Sequence, residues 1–243
     1  MLGRIKNWPR IIYVLVAVIA VILLASIYPL KKDRPAGNEL TPHYYKDASR
    51  SIADIRIKVF YAVPVNRVAF AYGDWKNLIE PVLKDSVIFH NLQFRGYSKI
   101  NYELFPKPFV LENESIYYDT EDTNKGNPEG LRKITEEIER READFLKTGP
   151  DEFLAITIIY EGVGASGTDG ASILSRTFLS NEQYEPFRST LFYHEFGHTL
   201  GLPDMYDTDN NSPFSNDIMG AGRREPLDAT YIDSELLKDM GIN

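Results

Sequence analysis

The feature that most constrains this chain is the run His-Glu-Phe-Gly-His-Thr-Leu-Gly-Leu-Pro-Asp at residues 194–204. On a helix, His194 and His198 are four residues apart and project from one face, close enough for both imidazoles to bind one metal ion. Glu195 lies one step further around the helix, on the side where a carboxylate can act as a base on a water molecule. The spacing therefore predicts a helix with a zinc site on one face.

A glycine and an aspartate extend this motif. Gly201 can end the helix in the left-handed conformation, which lets the chain reverse and bring Asp204 to the same metal. The alternative, two buried histidines that only stabilise a core, leaves Glu195 and Asp204 without a role. The whole chain contains four histidines, and two of them lie in this motif. We therefore predict one catalytic base, Glu195, and three metal ligands, His194, His198 and Asp204.

The segment HEFGHTLGLPDMYD, residues 194–207, resembles the active-site segment of the metzincin zinc peptidases in its aspartate-ended form. It is most similar to that of the immune inhibitor A family of secreted bacterial peptidases. The later run Asp-Ile-Met-Gly, residues 217–220, falls where that clan has a methionine turn. The resemblance covers these two segments and implies that Met219 is the turn methionine and zinc the cofactor. Ala221 occupies the position where some metzincins have a tyrosine that stabilises the oxyanion, so that role has no assigned residue.

The resemblance implies an α/β (α+β) fold of the metzincin type. Such a fold has a twisted mixed sheet with the metal-binding helix, and a small lower subdomain with the methionine turn and a C-terminal helix. Apolar and polar residues alternate over residues 55–61, as in a strand, and the apolar run Phe153–Tyr160 predicts a strand covered on both faces. Asn127 and Pro128 predict the start of a helix that ends at residues 149–150. Apolar residues make up 43% of the chain, which excludes a disordered protein.

A Gly-rich stretch, residues 161–180, precedes the predicted metal-binding helix. It lacks the G-x-x-x-x-G-K pattern, so a phosphate-binding loop is not predicted. In metzincin-like enzymes the edge strand before the active-site helix pairs with extended substrate, and such pairing uses main-chain hydrogen bonds. The candidates for that strand are Ser172, Ile173, Leu174 and Ser175. The equal alternative is an ordinary edge strand without a role in binding.

Composition limits the chemistry and the partners. The chain has no cysteine, which excludes disulfides, thiol catalysis and cysteine-bound zinc. Its 27 basic and 35 acidic residues give a net charge of −8, and an acidic chain of this kind repels nucleic acid. A protein or peptide substrate is the expected partner. The oxygen-rich loop after Asp204, which includes Asp207, Asp209 and Asp217, could bind calcium, but its spacing is not that of a known calcium loop and a solvated loop is the alternative.

The N-terminal region contains an uninterrupted run of apolar or small residues, 11–28, with basic residues on both sides. This run is long enough to cross a bilayer. A signal peptide has a shorter apolar region and small residues before its cleavage site, and Ile27 is too large for that position. The run therefore predicts a single-pass cell-membrane protein with its N-terminus inside, an N-terminal helix in the membrane and an extracellular catalytic domain.

This interpretation divides the chain into four parts. They are a cytoplasmic tail over 1–10, a transmembrane anchor over 11–30, a linker or short prosegment over 31–53, and a zinc metallopeptidase domain over 54–243. Within the linker, His43 or Asp47 could cap the metal in a latent form, although solvated linker residues are the alternative.

The function predicted from the sequence is a membrane-anchored zinc endopeptidase. Two alternatives are weighed against it. A gluzincin-like peptidase would take its third ligand from a later helix, for which Glu235 is the candidate. A membrane-anchored binding module with a degenerate protease fold would normally have lost Glu195 or a ligand, and none is lost.

Overall fold

A six-stranded mixed sheet is the centre of the described part of the chain, which in this computed structural model comprises residues 40–43, 50–121, 126–206 and 215–242. The strands are β1 (Asp54–Val63), β2 (Lys99–Leu104), β3 (Phe109–Val110), β4 (Phe153–Tyr160), β5 (Ala165–Thr168) and β6 (Ala171–Ser175). The helices are α1 (Trp75–Gln93), α2 (Ser115–Tyr118), α3 (Pro128–Arg141), α4 (Arg176–Ser180), α5 (Arg188–Thr199) and α6 (Ser234–Asp239). Short 3₁₀ segments lie at Val65–Phe70, Glu182–Phe187, Ala221–Arg224 and Leu227–Ala229.

The strand order is β2-β1-β4-β6-β5, with β3 also beside β1. All neighbouring pairs are parallel except β5 and β6, which are antiparallel. Parallel neighbours need crossover connections, and α1 provides one between β1 and β2, while α3 lies on the path from β3 to β4. The predicted α/β fold with a mixed sheet is confirmed.

Alternate residues of β1 point to two separate cores, as the period of a strand requires. Ile57, Val59 and Tyr61 face the core that α1, α5 and α6 cover. Phe60 and Ala62 face the opposite core, which α3 covers. Helices on both faces bury most residues of the central strands, including all of β4 except the partly buried Leu154. This explains why Phe153–Tyr160 reads as a continuous apolar run.

The helix predicted at Asn127 begins as expected and ends earlier. The Oδ1 atom of Asn127 accepts a hydrogen bond from the Gly130 amide at 3.0 Å, and Pro128 occupies the first helical position. The helix ends at Arg141 instead of continuing to residue 149. The chain leaves the helix there and places Phe145 edge-on against Phe60, with ring centroids 5.3 Å apart.

The prediction that Ser172, Ile173, Leu174 and Ser175 form the edge of the sheet is wrong. They belong to β6, which lies between β4 and β5, and all five residues of β6 are buried. The edge strand on this side of the sheet is β5. A tight turn with Gly170 at φ 69° reverses the chain between β5 and β6, so the strand that comes first in sequence lies outermost.

The predicted tail over 1–10 and anchor over 11–30 lie outside the described residues. In the described ranges, no helix combines the length and apolar character needed to cross a membrane. On this finding, the prediction of a single-pass cell-membrane protein with an extracellular domain is wrong. Two parts of the predicted linker pack on the domain: Leu40 and Ile52 are buried in the core, and the His43 amide donates a hydrogen bond to the Leu200 carbonyl at 2.8 Å.

Candidate metal centre

The helix α5 carries the two histidines and the glutamate of the motif and then ends as the sequence predicts. Gly201 follows the helix with φ 82°, in the left-handed region that favours glycine. The Leu202 amide donates back to the Gly197 carbonyl at 3.2 Å, which closes the turn. The chain thereby reverses, and Asp204 reaches the face of α5 from which His194 and His198 project.

Three candidate ligand atoms meet at this point. Asp204 Oδ1 lies 3.3 Å from His194 Nε2 and 3.3 Å from His198 Nε2. Zinc binds such atoms at about 2.0–2.1 Å in tetrahedral geometry, and this geometry separates two ligand atoms by roughly 3.3 Å. In the described part of the chain, these three residues are the one group of histidine and carboxylate side chains arranged to hold a metal ion. The observed spacing fits zinc.

Hydrogen bonds from the Nδ1 atoms of His194 and His198 fix both imidazoles in place. His194 Nδ1 lies 2.9 Å from the Ile218 carbonyl oxygen, and His198 Nδ1 lies 2.7 Å from the Leu202 carbonyl oxygen. A carbonyl oxygen only accepts hydrogen bonds, so each Nδ1 carries the proton. With the proton on Nδ1, the neutral form of each ring has its lone pair on Nε2, facing the candidate metal position, which is the second-shell arrangement found for metal-binding histidines.

The turn that supplies the Ile218 carbonyl also holds Met219 beneath α5. The Met219 amide donates to Asp217 Oδ1 at 2.9 Å, and its side chain is fully buried. A Cβ added at Gly197 would lie 2.7 Å from the Met219 sulfur, so the thioether touches the helix backbone between the two histidines. Any larger residue at position 197 would force the Met219 side chain to move.

Glu195 faces a cleft of about 750 Å³ beside the three ligands. Burial raises the pKa of Glu195 above its usual range, and the nearby His194 and His198 oppose part of that effect. A carboxylate with a raised pKa is a better proton acceptor near neutral pH. Burial alone would also raise the pKa of Asp204, yet the two imidazoles hold it well below its usual range. The site thus contains one carboxylate suited to accept a proton and one suited to remain ionised.

The edge strand β5 forms the upper rim of the cleft by direct contact with α5. A Cβ added at Gly167 would lie 2.2 Å from the Glu195 carbonyl oxygen and 2.6 Å from His198 Cβ. Only a hydrogen atom fits between the strand and the helix. Ala165, Ser166 and Gly167 of the edge strand therefore line the cleft together with the candidate ligands, whereas the sequence analysis had predicted Ser172–Ser175 as the edge strand.

Two residues of the lower rim were not singled out in the sequence. Tyr206 donates from its hydroxyl to Asp204 Oδ2 at 3.1 Å, and its ring centroid lies 6.3 Å from that of His194. The guanidinium of Arg223 lies 3.9 Å from the centroid of the Tyr206 ring. Tyr206 belongs to the Leu-Pro-Asp-x-Tyr-Asp run and could have been found there. Arg223 comes from the 3₁₀ segment after Met219, and no motif marks it.

The remaining candidates lie elsewhere or outside the described residues. Glu235, the gluzincin alternative, is the second residue of α6, and its amide donates to Asp233 Oδ1 at 2.7 Å. His43 is buried, with Nε2 3.3 Å from Asp239 Oδ2, and it is not one of the metal cluster. Asp47 and the calcium candidates Asp207 and Asp209 lie outside the described residues. The described calcium candidate, Asp217, instead accepts the hydrogen bond from Met219.

A buried histidine supports α5 from behind. His90 of α1 is fully buried, with Nδ1 2.8 Å from the Tyr193 hydroxyl and Nε2 2.7 Å from Ser98 Oγ. The Ser98 hydroxyl also contacts the Ile52 carbonyl just before β1. This chain of hydrogen bonds connects α1, α5 and the start of the sheet. Burial lowers the pKa of His90 to about 3, so the ring is neutral in the folded protein.

Because His90 is neutral in the folded protein, the free energy of unfolding should decrease at acidic pH. The unfolded histidine titrates near ~6.5 and the folded one near 3, so the unfolded chain binds the extra proton and stability falls as the pH decreases below about 6.5. One such proton contributes about 1.4 kcal/mol per pH unit, or roughly 2 kcal/mol between pH 6.5 and 5. Urea unfolding at both pH values should show that His90→Gln loses about 2 kcal/mol less than wild type. Equal losses in the two proteins would contradict the assignment, because the other histidines are common to both.

Comparisons with known proteins give no family. No protein-family model matches the chain, and no curated protein matches it. Among solved structures, archaemetzincin from Methanopyrus kandleri is 10% identical with a TM-score of 0.43, over 78% of this chain and 94% of that one. A zinc-dependent peptidase from Methanocorpusculum labreanum is 16% identical with a TM-score of 0.44, over 76% of this chain and 99% of that one. Both similarities are weak and do not assign a function to this chain. Its function has to be inferred from the residues of its own candidate site.

Proposed function

We propose that this protein is a zinc-dependent endopeptidase of the metzincin type, whose site segment is most similar to that of the immune inhibitor A family. The observation that supports it best is the convergence of His194 Nε2, His198 Nε2 and Asp204 Oδ1 next to the partly buried carboxylate of Glu195. Two imidazoles and one carboxylate are a donor set that zinc accepts, and three protein ligands leave a coordination position open for chemistry.

The chain's own residues account for most of the expected mechanism. A zinc ion held there supplies a Lewis acid for the peptide carbonyl and a water of lowered pKa. Glu195 accepts the proton of the attacking water and passes it to the leaving amine. The carbonyls of Ile218 and Leu202 keep both imidazoles in the tautomer that binds metal. Asp204 stays ionised and supplies the third ligand.

An extended peptide fits the upper rim of this cleft. The edge strand β5 is paired with β6 on one side. On its other side the Ala165 carbonyl accepts a hydrogen bond from the Asn127 amide at 3.1 Å, so a substrate strand would pair with the main-chain groups of β5 beyond that bond. Main-chain pairing tolerates varied side chains, which suits an enzyme that cuts proteins. The cleft itself is within the ~300–1,000 Å³ of typical binding sites.

The two alternatives are less well supported. A gluzincin-like site requires Glu235 as a ligand, and the described ligand group contains Asp204 instead. A degenerate, non-catalytic module does not explain why Glu195 lies partly buried beside an intact set of candidate ligands.

Zinc analysis combined with a casein assay tests the proposal. The purified protein should contain about one zinc ion per chain and hydrolyse casein. A chelator should abolish hydrolysis, and added zinc should restore it. The double substitution His194→Ala and His198→Ala should remove both zinc and activity. Hydrolysis that survives complete metal removal would contradict a zinc mechanism, and a zinc-loaded protein that cuts neither casein nor peptides would favour the non-catalytic module.

A further inference from the structure

Among the described residues that line the cleft there are two histidines, both candidate metal ligands, and a single arginine or lysine, which is Arg223. The acidic residues in the same lining are Glu195 and Asp204, whose two negative charges a divalent metal would balance. Arg223 then leaves the cleft with an excess of positive charge, although the whole chain has a net charge of −8. An anionic group would be attracted to this position.

The guanidinium of Arg223 is fixed in orientation but not neutralised. It stacks on the Tyr206 ring at 3.9 Å, and its Nη1 atom donates to the Gly220 carbonyl at 3.1 Å. Stacking on an aromatic face holds the planar group without using its hydrogen-bond donors. Within the described ranges, Arg223 forms no ion pair with a carboxylate. Most of its five donors are therefore available to a ligand.

Two other partly buried arginines in the described part of the chain are paired with carboxylates. Arg176 is held by Glu161 at 2.8 Å, and Arg67 is held by Asp119 at 2.8 Å. Both arginines are partly buried, as Arg223 is. A half-buried guanidinium that faces the cleft without such a carboxylate is an exception in this fold, which suggests that the carboxylate comes from outside.

We propose that Arg223 is a specificity-determining residue that binds a carboxylate of the peptide substrate. The carboxylate belongs either to an Asp or Glu side chain near the scissile bond or to a free C-terminus, and a guanidinium binds both in the same bidentate manner. Tyr206 is the positioning residue that sets the plane of the guanidinium. This inference rests on the proposed peptidase function.

Paired peptides test the inference. The peptides are quenched fluorescent pairs that differ only by Glu or Gln, at each position up to three residues from the scissile bond. At one position, Glu should give about 10-fold higher kcat/KM than Gln. This ratio corresponds to one charge-assisted contact worth ~1.4 kcal/mol. Each peptide is made with a C-terminal acid and a C-terminal amide. A preference that survives amidation identifies a side-chain carboxylate, whereas a preference lost on amidation identifies the C-terminus.

Variants show whether Arg223 causes the preference. Arg223→Gln should bring the Glu-to-Gln or acid-to-amide ratio to about 1, and Arg223→Glu should invert it. Arg224→Gln is the matched control, because Arg224 is the exposed neighbour in the same 3₁₀ segment and does not line the cleft; it should keep the full ratio. An unchanged ratio in Arg223→Gln would overturn the inference. An equal fall in kcat for every peptide would also overturn it and would assign Arg223 to the oxyanion of the transition state.

A binding measurement separates this inference from the proposed function. In the Glu195→Ala protein, calorimetry should show that adding Arg223→Gln weakens binding of the preferred peptide about 10-fold and leaves binding of its neutral counterpart nearly unchanged. This readout needs no turnover. If wild type cuts no peptide while binding still depends on Arg223, the peptidase function fails and the carboxylate site stands.

Discussion

Replacing Glu195 with alanine should leave about one zinc ion per chain and lower peptide hydrolysis by at least ~10³-fold. The separation of the two effects follows from the geometry. The ligand atoms belong to His194, His198 and Asp204, so zinc loses no ligand in this variant. The variant loses the carboxylate that accepts the proton of the attacking water, and with it the group beside the candidate ligands whose pKa burial raises.

Metal analysis and peptide kinetics on the same preparation check this result. Glu195→Gln keeps the size of the side chain and should be nearly as inactive. Glu182→Ala removes an exposed glutamate from the 3₁₀ segment that precedes α5 and should behave as wild type. Near-normal hydrolysis by a zinc-replete Glu195→Ala protein would mean that another group is the base.

Removal of Asp204 should have the second large effect, this time on metal affinity. Loss of a residue that only supports a ligand typically weakens metal binding ~10–100-fold, so loss of a direct ligand should cost about 100-fold or more. Glu235→Ala should bind zinc as wild type does, because Glu235 lies on α6 and its amide is engaged with Asp233. Competition with a zinc chelator of known affinity measures both variants.

The opposite pattern would change the assignment of the site. If Glu235→Ala lost zinc and Asp204→Ala kept it, the protein would be a zinc enzyme with gluzincin-type ligation. The 3.3 Å separations of Asp204 Oδ1 from both Nε2 atoms would then have to reflect ion pairs with protonated imidazoles instead of a ligand set.

The metal cluster could be predicted because its geometry is local. Four residues of helix set the spacing of His194 and His198, and one left-handed glycine returns Asp204, so the three candidate ligands fall within eleven residues of sequence. The central strand of the sheet at Phe153–Tyr160 was equally predictable, because burial on both faces leaves a continuous apolar run in the sequence. For such elements the sequence pattern and the structure follow from the same short-range rule.

The parts that could not be predicted depend on distant partners. Nothing in the residues of β6 says which strand lies on its outer side, and β5 (Ala165–Thr168) is short, with small residues and no periodic signal. Arg223 and Tyr206 meet only because two turns bring them together beneath the helix. The apolar run over residues 11–28 led to a membrane location that the described helices do not support. Length and hydropathy of one segment were too little to decide where the protein resides.

The contact at Gly167 makes the wall formed by β5 less tolerant of substitution than the opposite wall of the cleft. Because backbone meets backbone there, the width of the opening on the side of β5 cannot be adjusted by exchanging side chains; any larger residue would push the strand away from Glu195 and His198. The opposite wall consists of turn residues such as Tyr206 and Arg223, whose side chains can change without disturbing the sheet. New substrate preferences should therefore arise by mutation of the lower wall. The upper wall should keep a constant distance from the helix, because that distance is set by main-chain atoms. Directed evolution of this protein should concentrate its library on the lower wall.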